Sequence, residues 1–238
     1  MDDHDYLNKN PDWHADDAPF KAGWIKKIVD GRFSLENKRV ADIGCGSGEI
    51  LVHLKALFPH TYFEGYDISE AAYSIAKKKQ DPPHLSFFHA DLLECDPTQT
   101  KYDLILCIDV FEHIPDYYKF LSELRNHSIK FVFHIPLELS VQTILRSKGL
   151  TSYREQYNHL HFFNRVLALQ ILKDCGYSII EWQYTPSALV LPGRNLKSFL
   201  LRLPRRFVYF LHEDFCSSLL GGFSLMVLCG REKTLHSE

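Results

Sequence analysis

Arg39 to Glu49 reads R-V-A-D-I-G-C-G-S-G-E: a short apolar run (Val40, Ala41, Ile43), then glycines at alternate positions, Gly44, Gly46 and Gly48. An amphipathic pattern follows at once, so the stretch reads as strand, tight turn, helix. Glycines at such a turn let a ligand approach bare backbone and tolerate positive φ.

Downstream, Glu49 to Phe58 places Ile50, Leu51, Leu54, Leu57 and Phe58 on one helical face and stops at Pro59. Tyr62–Tyr66 is a second strand ending at Asp67, and Ser69 can cap a helix from Glu70 to Lys79. Leu85–His89 is a third strand ending at Asp91, and Tyr102–Ile108, nearly continuous in apolar residues before Asp109, is a fourth, buried on both faces. Tyr117–Leu124 reads as helix, Lys130–Ile135 as strand five, and Asn164 can cap a helix from Arg165 to Cys175. Ser178–Tyr184 and Phe223–Cys229 are the last two strands. Upstream, Phe20–Val29 has helical spacing, and Trp13, His14, Asp16 and Asp17 before it either flap over a ligand or cover the sheet. Strands alternating with helices imply an α/β, doubly wound, mostly parallel sheet whose ligands bind beyond the carboxyl ends of the strands, where Asp67, Asp91 and Asp109 all fall.

The 238 residues suit a single domain over 1–238, with an N-terminal helical segment over 1–30 and an insert over 186–222 between strands six and seven. With 27 Lys+Arg against 30 Asp+Glu the net charge is -3, so no global basic field holds a nucleic-acid backbone and no nucleic-acid partner is expected. The six scattered cysteines read as reduced thiols. The acidic start M-D-D-H-D-Y and the absence of a long apolar run point to a cytoplasmic chain.

Two ligands compete for a glycine turn followed by a strand-end acid: a dinucleotide such as NAD, as in a reductase, and S-adenosylmethionine. The ribose hydroxyls of either can donate to Asp67. The dinucleotide pattern G-x-G-x-x-G needs glycine at position 49, where the chain has Glu49. Asp42 and Glu49 would also oppose a pyrophosphate, whereas S-adenosylmethionine carries a sulfonium and an ammonium and no phosphate. An acidic rim suits the second ligand. Each strand-end aspartate alone could be a helix cap or turn former; their joint occurrence favours a ligand.

The ordered series V-A-D-I-G-C-G-S-G, E-G-Y-D-I-S, H-A-D-L and Y-D-L-I-L-C-I-D-V-F-E-H-I resembles that of class I S-adenosylmethionine-dependent methyltransferases. H-L-H-F-F-N-R and the residues after it resemble a small-molecule subgroup that includes ubiquinone-pathway O-methyltransferases. The resemblance implies a Rossmann-like seven-stranded sheet with an antiparallel last strand and helices on both faces. It further implies that Asp42, Gly44, Gly46 and Gly48 hold the methionine portion and Asp67 the ribose, with Ile68 lining the adenine. Asp91 would accept from the adenine amino group, Leu92 would flank the ring, and Ile108 or Asp109 would close the methionine end.

Methyl transfer to a hydroxyl acceptor needs a base, and His113, just after strand four, is the first candidate, with His134 at the end of strand five the second. Glu112 and His113 could instead tie down the loop, and His159 or His161 could line the acceptor pocket. Asp109-x-x-Glu112-His113 with a distant His161 also resembles the divalent-ion set of small-RNA 3′-end 2′-O-methyltransferases, although Asp109 replaces a longer Glu and the chain is not basic. No metal is therefore expected. The insert mixes Arg194, Lys197, Arg202, Arg205 and Arg206 with Leu196, Phe199, Leu203, Phe207 and Phe210, which suits a lid that sets acceptor specificity and equally a peripheral contact with an anionic membrane over 194–212. The expected function is methyl transfer from S-adenosylmethionine to a small-molecule acceptor, O-methylation favoured, with a non-catalytic S-adenosylmethionine-binding regulator as the alternative.

Overall fold

The computed structural model describes residues 15–191 and 202–232; Trp13 and His14 of the possible flap, and Arg194, Leu196, Lys197 and Phe199 of the insert, lie outside the described residues. In chain order the elements are α1 (Ala18–Val29), β1 (Arg39–Ile43), α2 (Glu49–Leu57), β2 (Tyr62–Asp67), α3 (Glu70–Ala76), β3 (Leu85–His89), β4 (Leu104–Ile108), α4 (Tyr117–Leu124) and β5 (Lys130–Leu137). They continue with α5 (Val141–Leu145), α6 (Gly149–Tyr157), α7 (Arg165–Asp174), β6 (Tyr177–Thr185), α8 (Ser187–Val190), α9 (Arg202–Leu211), α10 (Glu213–Leu220) and β7 (Phe223–Arg231).

The seven strands form one sheet in the order β3-β2-β1-β4-β5-β7-β6. β1 to β5 run parallel, and β7 lies antiparallel between β5 and β6. This is the doubly wound, Rossmann-like arrangement expected. Every residue of β4 is buried, because alternate side chains feed opposite layers. Leu104 and Leu106 meet Ile25 and Ile28 of α1 and Leu51 and Leu54 of α2, while Ile105 and Cys107 join Leu121 of α4 and Ile171 of α7 on the other face.

Local chemistry sets the helix starts. Ser69 Oγ accepts from the Ala72 N–H, Asp116 from Lys119 and Asn164 from Leu167, each satisfying an amide that the first turn leaves without a partner. All six cysteines are unpaired thiols. β5 runs two residues further than its apolar pattern indicates, through Pro136; beyond His134 it has left β4 behind and pairs only with β7, where a residue lacking an N–H is tolerated. α5 and α6 have no counterpart in the periodicity. G-L-T-S-Y-R-E-Q-Y buries no residue fully and carries no apolar stripe to announce α6.

Gly48 begins α2 at φ 79°, and a Cβ there would sit 2.5 Å from the Phe87 ring. Gly48→Ala should therefore cost about 2 kcal/mol or more. Gly23→Ala, in mid-α1 with nothing within 4 Å of the added carbon, should gain roughly 0.5–1 kcal/mol. Urea denaturation of the two variants checks both signs.

Candidate active site

The turns after β1, β2, β4 and β5 open on one cavity of about 510 Å³, closed from the sides by α1, the end of α6 and the 187–191 segment. The glycine turn is its floor. Gly44 and Gly46 take positive φ, and a Cβ on Gly44 would meet Val110 at 2.8 Å. Asp67 braces this turn: one oxygen accepts from the Gly46 N–H at 2.8 Å, the other from the Ser69 N–H at 2.9 Å.

The same cavity holds a chain of charges in which Lys21 and His134 are buried and Asp109 and Asp17 half-buried. Asp109, at φ 55°, receives Lys21 Nζ at 2.8 Å on one oxygen and His134 Nδ1 at 2.6 Å on the other. Lys21 also pairs with Asp17 at 3.0 Å, and His134 Nε2 meets Thr185 Oγ1 at 2.8 Å. Burial by itself would raise the Asp109 pKa, but His134 and Lys21 outweigh it and hold the carboxyl well below its usual range. Burial likewise works against the charge on Lys21, and Asp109 and Asp17 overcome it.

A second cluster gathers around Glu112, His113 and His159. Glu112 is fully buried, and neither carboxylate oxygen has a hydrogen-bond partner among the described residues. Burial, then the charge of Asp109, pushes its pKa well above the ordinary value. His113 Nδ1–H donates to the Asn158 carbonyl at 3.2 Å, and His159 Nδ1–H donates to the Glu138 carboxylate at 2.9 Å. The two imidazoles meet edge to face at 4.8 Å. One ligand atom from each of Glu112, His113 and His159 falls within 4.8 Å of the others.

Of the residues singled out from sequence, Gly44, Gly46, Asp67, Ile108, Asp109, His113 and His134 line the cavity. Asp42 is buried beneath the turn; its Oδ1 has no partner among the described residues, and burial followed by the charge of Asp67 raises its pKa well above the usual range. Gly48 faces Phe87 instead of the cavity. The proposed adenine set is not gathered at the cavity: Ile68 is exposed, Asp91 caps the turn at Leu93, and the Leu92 side chain is sealed in the core. His134 is buried, with Nδ1 2.6 Å from Asp109 Oδ1 and Nε2 2.8 Å from Thr185 Oγ1, so it ties β5 to the turn after β4 and to the end of β6. His161 Nε2–H donates to the Ile114 carbonyl at 3.0 Å and its ring meets Tyr117 edge to face, so the histidine that joins Glu112 and His113 is His159.

Lys21 and Glu138 were missed. Lys21 left a signal: it occupies the buried spacing of α1, Ala18, Lys21, Ala22, Ile25, Ile28 and Val29, where a charge is out of place unless paired. Glu138 left none, since the residues after strand five show no period.

The profile of a family described as a methyltransferase domain matches residues 21–181. Among curated proteins, a ubiquinone biosynthesis O-methyltransferase from Pseudomonas savastanoi is 33% identical over 101 residues, covering 41% of this chain and 41% of that protein. A malonyl-[acyl-carrier protein] O-methyltransferase from Bacillus anthracis is 27% identical over 104 residues, 43% of this chain and 38% of its own. The chain thus spans about two fifths of the length of these relatives. Among solved structures, the magnesium protoporphyrin IX methyltransferase from Synechocystis with bound SAH superposes with a TM-score of 0.58 at 19% identity, covering 92% of this chain and 83% of that one. A geranyl diphosphate methyltransferase in complex with SAM gives a TM-score of 0.63 at 15% identity, over 90% and 85% of the two chains. At these identities the structures agree in fold.

The Lys21–Asp109–His134 chain makes a pH prediction. The depressed Asp109 pKa means that its contribution to stability is complete above the ordinary carboxylate value of about 4 and is lost as the pH falls through its lower folded value. Thermal unfolding of Asp109→Asn should show a flatter acid limb than the wild type. Lys21→Met, which strands one side of a buried pair, should cost about 3 kcal/mol at neutral pH.

Proposed function

Since the chain belongs to the family described as a methyltransferase domain, we propose that it transfers a methyl group from S-adenosylmethionine to a small-molecule acceptor, at a hydroxyl oxygen. One observation carries the reading of the donor. Among its described lining residues the cavity presents the carboxylates of Asp17, Glu49, Asp67, Asp109 and Glu138 against one amine, that of Lys21, with bare glycine backbone beneath. Such a site attracts a cation and repels a pyrophosphate. The residues fit the donor: the Gly44–Gly46 backbone and the acids around it would hold the methionine portion, and Asp67 the ribose hydroxyls. Bound there, S-adenosylmethionine supplies a methyl group already activated on sulfur.

The chain then has to align, exclude water and move one proton. The Nδ1–H bond to Asn158 fixes His113 in the tautomer whose Nε2 accepts, so His113 takes the acceptor's proton as the new bond forms. Glu138 orients His159 in the same manner beside it. Ser187 and Leu191 line the cavity from the insert after β6, which supports a lid that selects the acceptor. The names of the curated relatives, both O-methyltransferases, support oxygen as the receiving atom.

A second reading has its own observation. A wholly buried carboxylate without a hydrogen-bond partner among the described residues, within reach of two imidazoles each oriented through Nδ1 by a backbone carbonyl or a carboxylate, has the donor set and outer hydrogen bonds of a divalent-cation site. Glu112, His113 and His159 would hold the ion, which would polarise the acceptor oxygen.

By calorimetry, Asp67→Ala should weaken S-adenosylmethionine binding by about tenfold to a hundredfold, the worth of hydrogen bonds to a charged group; unchanged affinity would remove Asp67 from the site. His113→Ala should lower kcat by roughly a hundredfold or more with donor affinity retained. Activity that survives chelation and dialysis supports His113 as a base; activity lost and restored by one divalent ion supports the metal reading.

A further inference from the structure

α9 sits with its faces reversed relative to a helix that covers a core. Its arginines turn toward the protein: Arg202 donates to the Leu191 carbonyl, Arg205 to the Leu220 carbonyl at 2.9 Å, and Arg206 to the Leu189 carbonyl at 3.3 Å. Val208 and Tyr209 fill the remaining inward positions, with Tyr209 stacked on Phe223. The spacing i, i+4, i+7, i+8 then carries Leu203, Phe207, Phe210 and Leu211 outward, 75%, 65%, 88% and 64% exposed. Four of the ten residues of one helix thus form an apolar stripe in water.

The surroundings identify what meets it. α9 contains no acidic residue. α10, which packs against α9, also packs against α5, and α5 ends in exposed Ile144 and Leu145 followed by exposed Arg146 and Lys148. Bulky apolar side chains flanked by cations match hydrocarbon beneath anionic headgroups. A second copy matches poorly, because a two-fold contact packs this face on itself and brings the Arg146 and Lys148 cations of the two copies to one interface with no acidic residue of α9 between them. The net charge of -3 means that the attraction must come from this patch and not from the whole molecule.

We propose that the outward face of α9, with the end of α5 beside it, docks this chain on an anionic bilayer surface. Leu203, Phe207, Phe210 and Leu211 enter the headgroup boundary, and Arg146 and Lys148 pair with lipid phosphates. The docking stands independently of the methyl-transfer reading. Its connection to the cavity is mechanical: Arg202 and Arg206 tie α9 to the 187–191 segment that supplies Ser187 and Leu191 to the lining. No helix among the described residues is long and apolar enough to cross a membrane, so the contact is peripheral.

Flotation of the intact chain with vesicles of phosphatidylcholine and phosphatidylglycerol, against vesicles of phosphatidylcholine alone, tests the proposal. The wild type should float with the anionic vesicles, and less so at high salt. The double substitution Phe207→Ser and Phe210→Ser should lower the partition coefficient by about tenfold or more at an unchanged melting temperature, since both side chains already face water. The pair Arg146→Glu and Lys148→Glu should weaken binding to the anionic vesicles, and it carries the test alone should the first variant lose its thermal transition. Absence of wild-type flotation overturns the proposal, as does equal flotation of the wild type and the folded variants. A monomer–dimer equilibrium in sedimentation that the phenylalanine substitutions abolish also overturns it and assigns the face to a second copy.

Discussion

The Asp109 carboxylate is the joint on which the site depends. One oxygen takes Lys21 from α1, the other takes His134 from β5, and His134 passes the connection to Thr185 at the end of β6. Three segments distant in sequence are thereby fixed around the mouth of one cavity. Buried charges are costly unless fully paired, and here every member has a partner, so the arrangement works as a single unit. It also sets the electrostatics: the amine of Lys21 is consumed by Asp109 and Asp17, and the cavity remains acidic at the floor where Asp67 stands.

That acidity separates two roles within a few residues of chain. Asp109 is paired and ionised, whereas Glu112, one turn later, is buried without partners and pushed toward its neutral form. Carboxylates whose surroundings drive them in opposite directions mark acid–base or ligand-binding chemistry more often than packing. These environments distinguish two parts of the cavity, the glycine turn with Asp67 at one and Glu112 with His113 and His159 at the other.

The sheet was legible because strand and helix periods alternate cleanly from Arg39 to Ile135 and resume at Arg165, and a run such as Leu104 to Ile108 has no stable place except the middle of a sheet. The glycine turn and the acids after β2 and β4 were legible for the same reason. Partners were harder. His159 and His161 are two residues apart on the irregular segment after Asn158, one turned to Glu138 and the other to the Ile114 carbonyl, and no pattern in the sequence decides between them. The strand-end position of His134 is legible, but its partners Asp109 and Thr185 are not, because only the sheet order brings them to it. α9 was legible as amphipathic, but which face meets the protein was set by carbonyls at the ends of α8 and α10.

The central claim is that this cavity is built for a cationic nucleoside without phosphates. Titrating the wild-type chain in a calorimeter with S-adenosylmethionine and, separately, with NAD tests it most directly. Saturable one-site binding of S-adenosylmethionine with no heat from NAD is the predicted result; saturable binding of NAD with none of S-adenosylmethionine would contradict it.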